Sequence, residues 1–163
     1  MWHAYAPSPI GNLLLVANED GLLEVHFPPA VPPRGSSRGY GPLAQVIRQL
    51  AEYFAGDRKK FDVPLALRGT PFQLDVWRAL QRIPYGETRS YADIARAIDR
   101  PTATRAVGAA NGANPIPIII PCHRVIGTNG ALTGFGGGID VKQRLLNLEG
   151  ALQESEGVSP VDK

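Results

Sequence analysis

The sequence is poor in the residues that build disulfide frameworks and metal sites. Its 163 residues include one cysteine, Cys122, and three histidines that are scattered along the chain. A single cysteine excludes an intrachain disulfide, and the histidines are too dispersed to complete a cysteine-rich zinc site. We therefore expect no metal and no resident cofactor.

Long hydrophobic runs are also lacking. No stretch approaches the roughly 20 consecutive apolar residues that a membrane helix needs, and the chain does not open with a basic segment and an apolar run, as a secretory signal does. Apolar residues make up 44% of the chain and charged residues 20%, which is normal for a globular protein. We expect a cytoplasmic protein that does not bind membranes.

The net charge is small, +2, but it is unevenly distributed. Residues 94–138 contain a single acid, Asp99. The four arginines of this basic window are Arg96, Arg100, Arg105 and Arg124. Such a window suits a nucleic-acid backbone, although a solvated face with unpaired arginines would give the same pattern.

The first third of the chain has the signals of a small sheet. Short apolar runs in residues 4–27 flank an Asp-Gly pair at Asp20 and Gly21, which predicts an antiparallel hairpin or meander. Residues 28–42 hold five prolines and three glycines and are predicted to form an irregular loop.

A helix is predicted next. Apolar residues recur at helical spacing from Leu43 to Phe54, and Gly56 supplies the stop. The residues with this spacing are Leu43, Val46, Ile47, Leu50 and Phe54. Together with the hairpin, it predicts a small N-terminal α/β domain over residues 1–66.

The second half is predicted to be mostly helical and to contain a helix-turn-helix. Thr70 is a good N-cap before Pro71, and Ser90 with Asp93 has the spacing of a capping box. A further helix after Thr102 is rich in small residues, which could approach a grooved partner or pack on the preceding helix. Its small residues are Ala103, Ala106, Ala109 and Ala110.

A last amphipathic helix is predicted to place Val141, Leu145 and Leu148 inward and to stop at Gly150. The C-terminal domain then spans residues 67–150, and residues 151–163 are predicted to be a flexible tail. The expected fold class is α+β: a small α/β N-terminal domain with an antiparallel hairpin or meander, followed by a mostly helical domain with a helix-turn-helix.

Cys122 is either a buried bystander or a nucleophile. A free cysteine in such a protein is usually a small hydrophobic side chain, but His123 and Arg124 follow at once, and nearby cations favour the thiolate. In an extended segment His123 would point away from Cys122, so a contact requires a turn or a bridging water. Glu149 is a candidate to orient the histidine, which makes a Cys-His-Glu relay a hypothesis.

A longer set of motifs surrounds this cysteine. The stretch "PCHRVIG", preceded by "NPIPIIIP" and followed by "GALTGFGGG" and "LLNLEG", resembles the O6-alkylguanine-DNA alkyltransferase family. The resemblance is close over residues 70–150 and looser before them, where the hairpin and helix resemble the family's ribonuclease-H-like domain.

The resemblance implies a role for each matching residue. Cys122 would attack the alkyl carbon on guanine O6, and on thymine O4 if that lesion is also accepted, and would keep the group as a thioether. His123 would deprotonate the thiol through a water, with Glu149 polarising the histidine. Asn114 would brace the active-site turn, and Tyr91 would offer its hydroxyl to guanine N3.

The resemblance also implies how DNA is bound. Residues 103–111 match a recognition helix that enters the minor groove of double-stranded DNA, where a monomer flips out the alkylated base. Arg105 would fill the gap that the rotated nucleotide leaves. The other DNA-contacting positions would be Thr102, Ala103, Thr104, Ala106 and Asn111. A lid over the base would be formed by Leu132, Phe135, Gly136 and Gly137.

Three other functions fit the sequence less well than alkyl transfer does. A protein that only flags alkylated bases for another repair pathway would carry a different residue in place of Cys122. A cysteine hydrolase has no use for a helix-turn-helix. A transcription factor would need a regulatory domain, for which the sequence has no signal.

Overall fold

A computed structural model describes residues 1–151. The chain divides into two compact units, of which the first comprises Met1–Arg68 together with Pro115–Pro117. The second comprises Gly69–Asn114 and the chain from Ile118 onward. A sheet with one helix forms the first unit and four helices dominate the second, so the predicted α+β class is confirmed.

The sheet of the first unit has the strand order β3-β2-β1-β4. The strands are β1 (Trp2–Ala6), β2 (Leu13–Asn18), β3 (Gly21–His26) and β4 (Ser37–Arg38). Antiparallel pairing joins β1 to β2 and β2 to β3, whereas β4 runs parallel to β1. Every residue of β2 is buried, as expected for a central strand.

The predicted hairpin is confirmed at the turn between β2 and β3. The side-chain oxygen of Asn18 accepts hydrogen bonds from the backbone N–H groups of Asp20 and Gly21, at 2.8 and 3.2 Å. Gly21 has a φ of +146°, and a Cβ there would lie 2.6 Å from the Pro64 carbonyl oxygen. Only glycine fits this position.

The helix of the first unit is α1 (Ala44–Phe54), which follows a 3₁₀ turn at Gly41–Leu43. Its inward positions are Val46, Gln49, Leu50 and Tyr53. The predicted helix is confirmed, and of the residues with its apolar spacing, Ile47 and Phe54 are half-buried whereas the others are buried. Gln49 can be buried since its amide exchanges two hydrogen bonds with the backbone of Asp62.

Up to Ala151, the second unit contains four α-helices and a short parallel pair of strands. They are α2 (Pro71–Gln81), β5 (Arg89–Ser90), α3 (Tyr91–Ala97), α4 (Thr104–Gly112), β6 (Val125–Ile126) and α5 (Ile139–Leu148). A 3₁₀ turn at Cys122–Arg124 leads directly into β6, which pairs with β5.

Both predicted helix starts are confirmed. Thr70 caps α2 in a capping box with Gln73, and Ser90 caps α3 in a capping box with Asp93. These reciprocal bonds satisfy backbone N–H groups that the first turn of a helix leaves free.

The small residues of α4 divide between two environments. Ala110 is buried, and its carbonyl accepts a 2.9 Å hydrogen bond from the indole Nε1 of Trp77 on α2. Ala106 and Ala109 are exposed. α4 therefore packs on a neighbouring helix through Ala110 and presents small side chains on its outer surface at Ala106 and Ala109.

The inward face of α5 differs from the predicted one. Lys142, Leu145 and Leu146 are buried, whereas Val141 and Leu148 are half-buried. A lysine can occupy this face because its amine has two carbonyl partners, described below. Of the predicted tail, only Ala151 lies within the described residues. In that part of the chain every helix is too short or too polar to span a bilayer.

Candidate active site

Cys122 begins the 3₁₀ turn Cys122–Arg124, at the end of a buried run of isoleucines and prolines. Its side chain is almost fully enclosed, with 4% of the residue exposed. The turn is held by its backbone, because the Cys122 N–H bonds to the Ile120 carbonyl at 2.7 Å and the Val125 N–H bonds to the Cys122 carbonyl. Upstream, Ile118 has a φ of +75°, a strained conformation for a β-branched residue.

The structure brings His123 and Glu149 together. The His123 Nε2 lies 2.7 Å from the Glu149 Oε2, and both side chains are fully buried. Glu149 is the C-cap residue of α5, so the end of the last helix supplies the carboxylate that faces the active-site turn.

Arg124, one of the four arginines of the basic window, completes this cluster. Its Nε donates to the Glu149 Oε1 at 2.7 Å and its Nη2 to the Oε2 at 3.0 Å, while its Nη1 donates to the Ile83 carbonyl at 2.7 Å. The guanidinium also lies over the Tyr85 ring. Three of its five N–H donors are used inside this cluster and the residue is buried, so Arg124 does not belong to a DNA-facing surface.

The cluster sets the protonation of His123 and Glu149. Although burial raises the pKa of Glu149, hydrogen bonds from His123 and Arg124 outweigh it and lower the pKa to about 2. Burial lowers the pKa of His123 despite the adjacent carboxylate. A neutral imidazole beside an ionised carboxylate must carry its proton on Nε2, which leaves a lone pair on Nδ1. Among residues 1–151 this Nδ1 has no hydrogen-bond partner.

Cys122 is a thiol at neutral pH, contrary to the expectation that neighbouring cations would favour the thiolate. Burial raises its pKa to about 11, and this outweighs a hydrogen bond from Asn114 and the charge of Lys142, which lower it. The proton must therefore be removed during the reaction, and the His123 Nδ1 is a base that has no other hydrogen-bond partner in the described part of the chain.

Two asparagines reach the backbone around Cys122. The Asn114 Nδ2 donates to the Ile120 carbonyl at 2.8 Å, as a brace of the turn would. The Asn111 Nδ2 donates to the Cys122 carbonyl at 3.4 Å. Only 4% of Asn111 is exposed, so its side chain points inward in this structure, and its role as a DNA contact stays a prediction.

The loop of residues 131–138, between β6 and α5, is tied to the site at Thr133. The Tyr91 hydroxyl and the Thr133 Oγ1 are 2.6 Å apart. The Lys142 Nζ donates to the Thr133 carbonyl at 3.1 Å and to the Val125 carbonyl at 2.6 Å. The predicted lid residues all belong to this loop. Leu132, Phe135 and Gly137 are half-buried, and Gly136 is exposed.

Thr133 and Lys142 were missed from the sequence. Nothing in the sequence pointed to Thr133, because its residue type does not distinguish it from other loop residues. Lys142 did carry a signal, because it stands three residues before Leu145 and four before Leu146, on the inward face of an amphipathic helix where a charge requires partners.

The outer face of α4 presents the remaining predicted DNA contacts. Thr102, Thr104, Arg105 and Ala106 are exposed, and Ala103 is half-buried. Within residues 1–151, Arg105 has no ion-pair partner, whereas Arg96 is paired with Asp93. A search of the same residues found no group of three or more histidines, cysteines or acids that could hold a metal ion.

Comparisons with known proteins agree with this geometry. Residues 1–67 match the model of the 6-O-methylguanine DNA methyltransferase ribonuclease-like domain, and residues 71–151 match that of the DNA binding domain. A methylated-DNA–protein-cysteine methyltransferase of Methanosarcina acetivorans is 51% identical over 160 residues, which cover 93% of this chain and 99% of that protein.

Further similarity is found in a bacterium and in a solved structure. The constitutive methylated-DNA–protein-cysteine methyltransferase of Bacillus subtilis is 48% identical over 158 residues, covering 91% of this chain and 94% of that protein. The crystal structure of Mycobacterium tuberculosis OGT in complex with DNA matches with a TM-score of 0.88 and 49% identity, covering 93% of this chain and 94% of that one. The predicted resemblance is confirmed, and the chain belongs to the methylated-DNA–protein-cysteine methyltransferase family.

Proposed function

We propose that this protein repairs DNA directly, by transferring the alkyl group from O6 of an alkylated guanine to the Sγ of Cys122. The observation that carries the proposal is the burial of Cys122 in a turn whose next residue is a neutral histidine, held by the ionised Glu149. The names of its relatives support the same chemistry.

The transfer starts with the thiol proton. The His123 Nδ1 takes it through a water, and Glu149 stabilises the imidazolium that forms. The thiolate then attacks the alkyl carbon in line, so that the S–C bond forms as the C–O6 bond breaks and its electrons pass to the guanine. A soft sulfur nucleophile is required because the carbon of an aryl ether is a poor electrophile.

The departing guanine needs its developing negative charge stabilised, and Tyr91 is placed to do this. If the Thr133 hydroxyl donates to the Tyr91 oxygen across their 2.6 Å contact, the phenolic proton is free for guanine N3. Thr133 would then orient Tyr91. The proton that guanine gains from Tyr91 is replaced by the thiol proton, which His123 gives back through water, so both side chains end the reaction neutral.

The product limits the protein to one repair. A thioether does not hydrolyse in water at neutral pH, and no step of the mechanism returns Cys122 to a thiol. Each chain therefore transfers one alkyl group and is spent. Because the chemistry needs one chain only, we propose that the protein acts as a monomer.

Double-stranded DNA is the partner, and we propose that α4 enters its minor groove. The exposed Ala106 and Ala109 allow a close approach, and Arg105, which has no ion-pair partner in the described residues, would occupy the space left by the flipped nucleotide. Flipping costs a few kcal/mol, least for a damaged pair, and the inserted side chain offsets that cost. Leu132, Phe135, Gly136 and Gly137 would enclose the flipped base.

The variant Cys122→Ala tests the proposal against a protein that only flags lesions. We expect it to bind a duplex carrying O6-methylguanine but to transfer nothing. A flagging protein would need no thiol, and its wild type would leave the methyl group on the DNA. Transfer by Cys122→Ala would contradict the assignment of the nucleophile.

A further inference from the structure

The chain reverses direction just after α2, in a turn at residues 84–87. The Glu87 N–H bonds to the Pro84 carbonyl at 3.1 Å, which closes the turn. Gly86 has a φ of +85°, the conformation that the third residue of a type II turn adopts and that favours glycine. Tyr85 is the second residue of the turn, so its half-buried side chain starts from a closed, hydrogen-bonded backbone.

This turn and the residue before it hold Arg124 from two directions. At the edge of the guanidinium, the Ile83 carbonyl accepts a 2.7 Å hydrogen bond from Nη1. Against its face lies the Tyr85 ring, with 5.8 Å between the Arg124 Cζ and the ring centroid. A cation within about 6 Å of a ring centroid is attracted to the ring, most strongly where water is excluded. The hydrogen bond and the ring together restrict the plane of the guanidinium.

The same turn also contacts the backbone that carries Glu149. The Tyr85 hydroxyl donates to the Leu148 carbonyl at 3.3 Å, and a Cβ at Gly86 would lie 3.2 Å from the Glu149 carbonyl oxygen. Burial and the Glu149 carboxylate raise the pKa of Tyr85 despite Arg124, which lowers it, so the hydroxyl keeps its proton. Its hydrogen bond is longer than the usual O–H···O range of about 2.5–3.0 Å. The ring therefore contributes more than the hydroxyl.

The plane of the guanidinium matters because Arg124 and His123 share one carboxylate oxygen. The Glu149 Oε2 lies 2.7 Å from the His123 Nε2 and 3.0 Å from the Arg124 Nη2. A guanidinium that rotates out of this plane weakens its hydrogen bonds to the carboxylate, whose Oε2 then moves relative to the imidazole. Whatever fixes Arg124 therefore also fixes the oxygen that faces His123.

We propose that Tyr85 is a positioning residue for the base of the reaction: its ring holds Arg124 in the plane that keeps the Glu149 carboxylate against His123. The inference rests on the proposed function, in which His123 takes the thiol proton. Without the ring, the imidazolium that forms during transfer loses part of its stabilisation by Glu149, and His123 becomes a weaker base. Because the bond to Glu149 raises the pKa of His123 against the effect of burial, that pKa falls further when the bond is weakened.

The test compares two substitutions of Tyr85 in the full chain. Tyr85→Leu removes the ring and the hydroxyl, whereas Tyr85→Phe removes the hydroxyl alone. Tyr5→Leu is the matched control, because Tyr5 of β1 is also half-buried and its hydroxyl donates to the Ala30 carbonyl at 3.0 Å.

Two measurements are made on each protein. With a saturating excess of a duplex carrying O6-methylguanine, the amplitude of Cys122 methylation counts the folded chains, and the rate constant across pH reports on the chemistry. Independently of any transfer, NMR of the free protein follows the titration of the His123 ring.

We expect Tyr85→Leu to lower the rate constant at neutral pH by about tenfold while the amplitude stays within about twofold of wild type. The decline of the rate in acid and the His123 titration should both move to lower pH, by about half a unit. Tyr85→Phe and Tyr5→Leu should keep the wild-type midpoints and stay within about twofold in rate. If Tyr85→Leu does not fold, Tyr85→Met, which fills similar space without a ring, should give the same shifts.

Four results would overturn the inference. An unchanged rate constant and midpoint in Tyr85→Leu would show that the ring does not act on the base, and a loss of amplitude alone would mean that Tyr85 only supports the fold. A His123 titration that moves to higher pH would mean that water had entered the cluster. An equal effect of Tyr85→Phe would assign the role to the hydroxyl. Failure of the proposed function is separable, because the wild type would then methylate nothing while the NMR titrations still compare the variants.

Discussion

The carboxylate of Glu149 serves His123 and Arg124 at once. Its Oε2 lies 2.7 Å from the His123 Nε2, and both of its oxygens receive hydrogen bonds from the Arg124 guanidinium. Arg124 keeps the carboxylate ionised in a buried site, and the ionised carboxylate fixes the histidine tautomer. The base of the reaction therefore depends on a residue that does not touch the substrate.

Neutralising Glu149 should damage both stability and chemistry. Glu149→Gln leaves Arg124 as a buried charge without a counter-ion, so we expect the free energy of unfolding to fall by about 3 kcal/mol. Chemical denaturation measures this loss. Glu87→Gln is the control, because Glu87 forms an exposed pair with Arg89 that should contribute less than about 1 kcal/mol. Equal effects of the two substitutions would contradict the account.

Acid should unfold the protein through the same cluster. The pKa of Glu149 is about 2 in the folded protein against an ordinary value of 4.5, so its contribution to stability is present above pH 4.5 and is lost as the pH falls toward 2. The lowered pKa of His123 acts in the same direction, since the unfolded chain takes up that proton first. Denaturation measured across this range should show stability falling with pH, and a flat profile would contradict it.

The rate of alkyl transfer should depend on pH through His123. Because burial lowers its pKa, the base stays neutral at neutral pH, and the rate should decline only as acid protonates His123, below the ordinary histidine value. A thiol with a pKa of about 11 that ionised unaided would instead give a rate rising about tenfold per pH unit from roughly pH 7 to 9. Single-turnover rates with a lesion-bearing duplex distinguish the two profiles.

Arg105 should affect the rate of alkyl transfer from duplex DNA and leave the alkyl-transfer step itself unchanged. Arg105→Ala should slow transfer from a lesion in duplex DNA by about tenfold or more and leave the reaction with free O6-benzylguanine unchanged within about twofold. Arg78→Ala, which removes an exposed arginine of α2 paired with Asp75, is the control. Slowing of the free-base reaction by Arg105→Ala would instead indicate a defect in the active-site turn.

The Tyr91 hydroxyl should contribute through its proton. Tyr91→Phe should slow transfer by about a hundredfold to a thousandfold, the range expected for losing one donor to a developing negative charge. Thr133→Val breaks the same 2.6 Å contact but leaves the Tyr91 proton in place, so its effect should be smaller. If both variants slow alkyl transfer by the same factor, the contact between Tyr91 and Thr133 serves only to hold the loop.

Much of the local structure could be predicted because its causes lie within a few residues. The capping boxes at Thr70 and Ser90 and the turn at Gly21 depend on side chains that bond to their own neighbourhood. The approach of Glu149 to His123 was a hypothesis without such local support, since 25 residues separate them in the chain, and only the fold could show their contact.

The partners of buried polar groups could not be predicted for the same reason. Arg124 was counted in a basic window because its sequence neighbourhood is basic, yet its partners are Glu149 and the Ile83 carbonyl. Lys142 was missed, and Asn111 was placed by resemblance alone, because the carbonyls that these two side chains contact lie on other segments. The pKa of Cys122 is raised rather than lowered, because the burial of the thiol outweighs the effect of nearby charges.

The most direct test of the account is the mass of the Cys122 peptide after incubation with an oligonucleotide duplex carrying O6-methylguanine. We predict that this peptide gains one methyl group, that the duplex loses it, and that transfers never exceed one per chain however long the incubation. Repeated turnover, or loss of methyl from the DNA with no methyl on Cys122, would contradict the account.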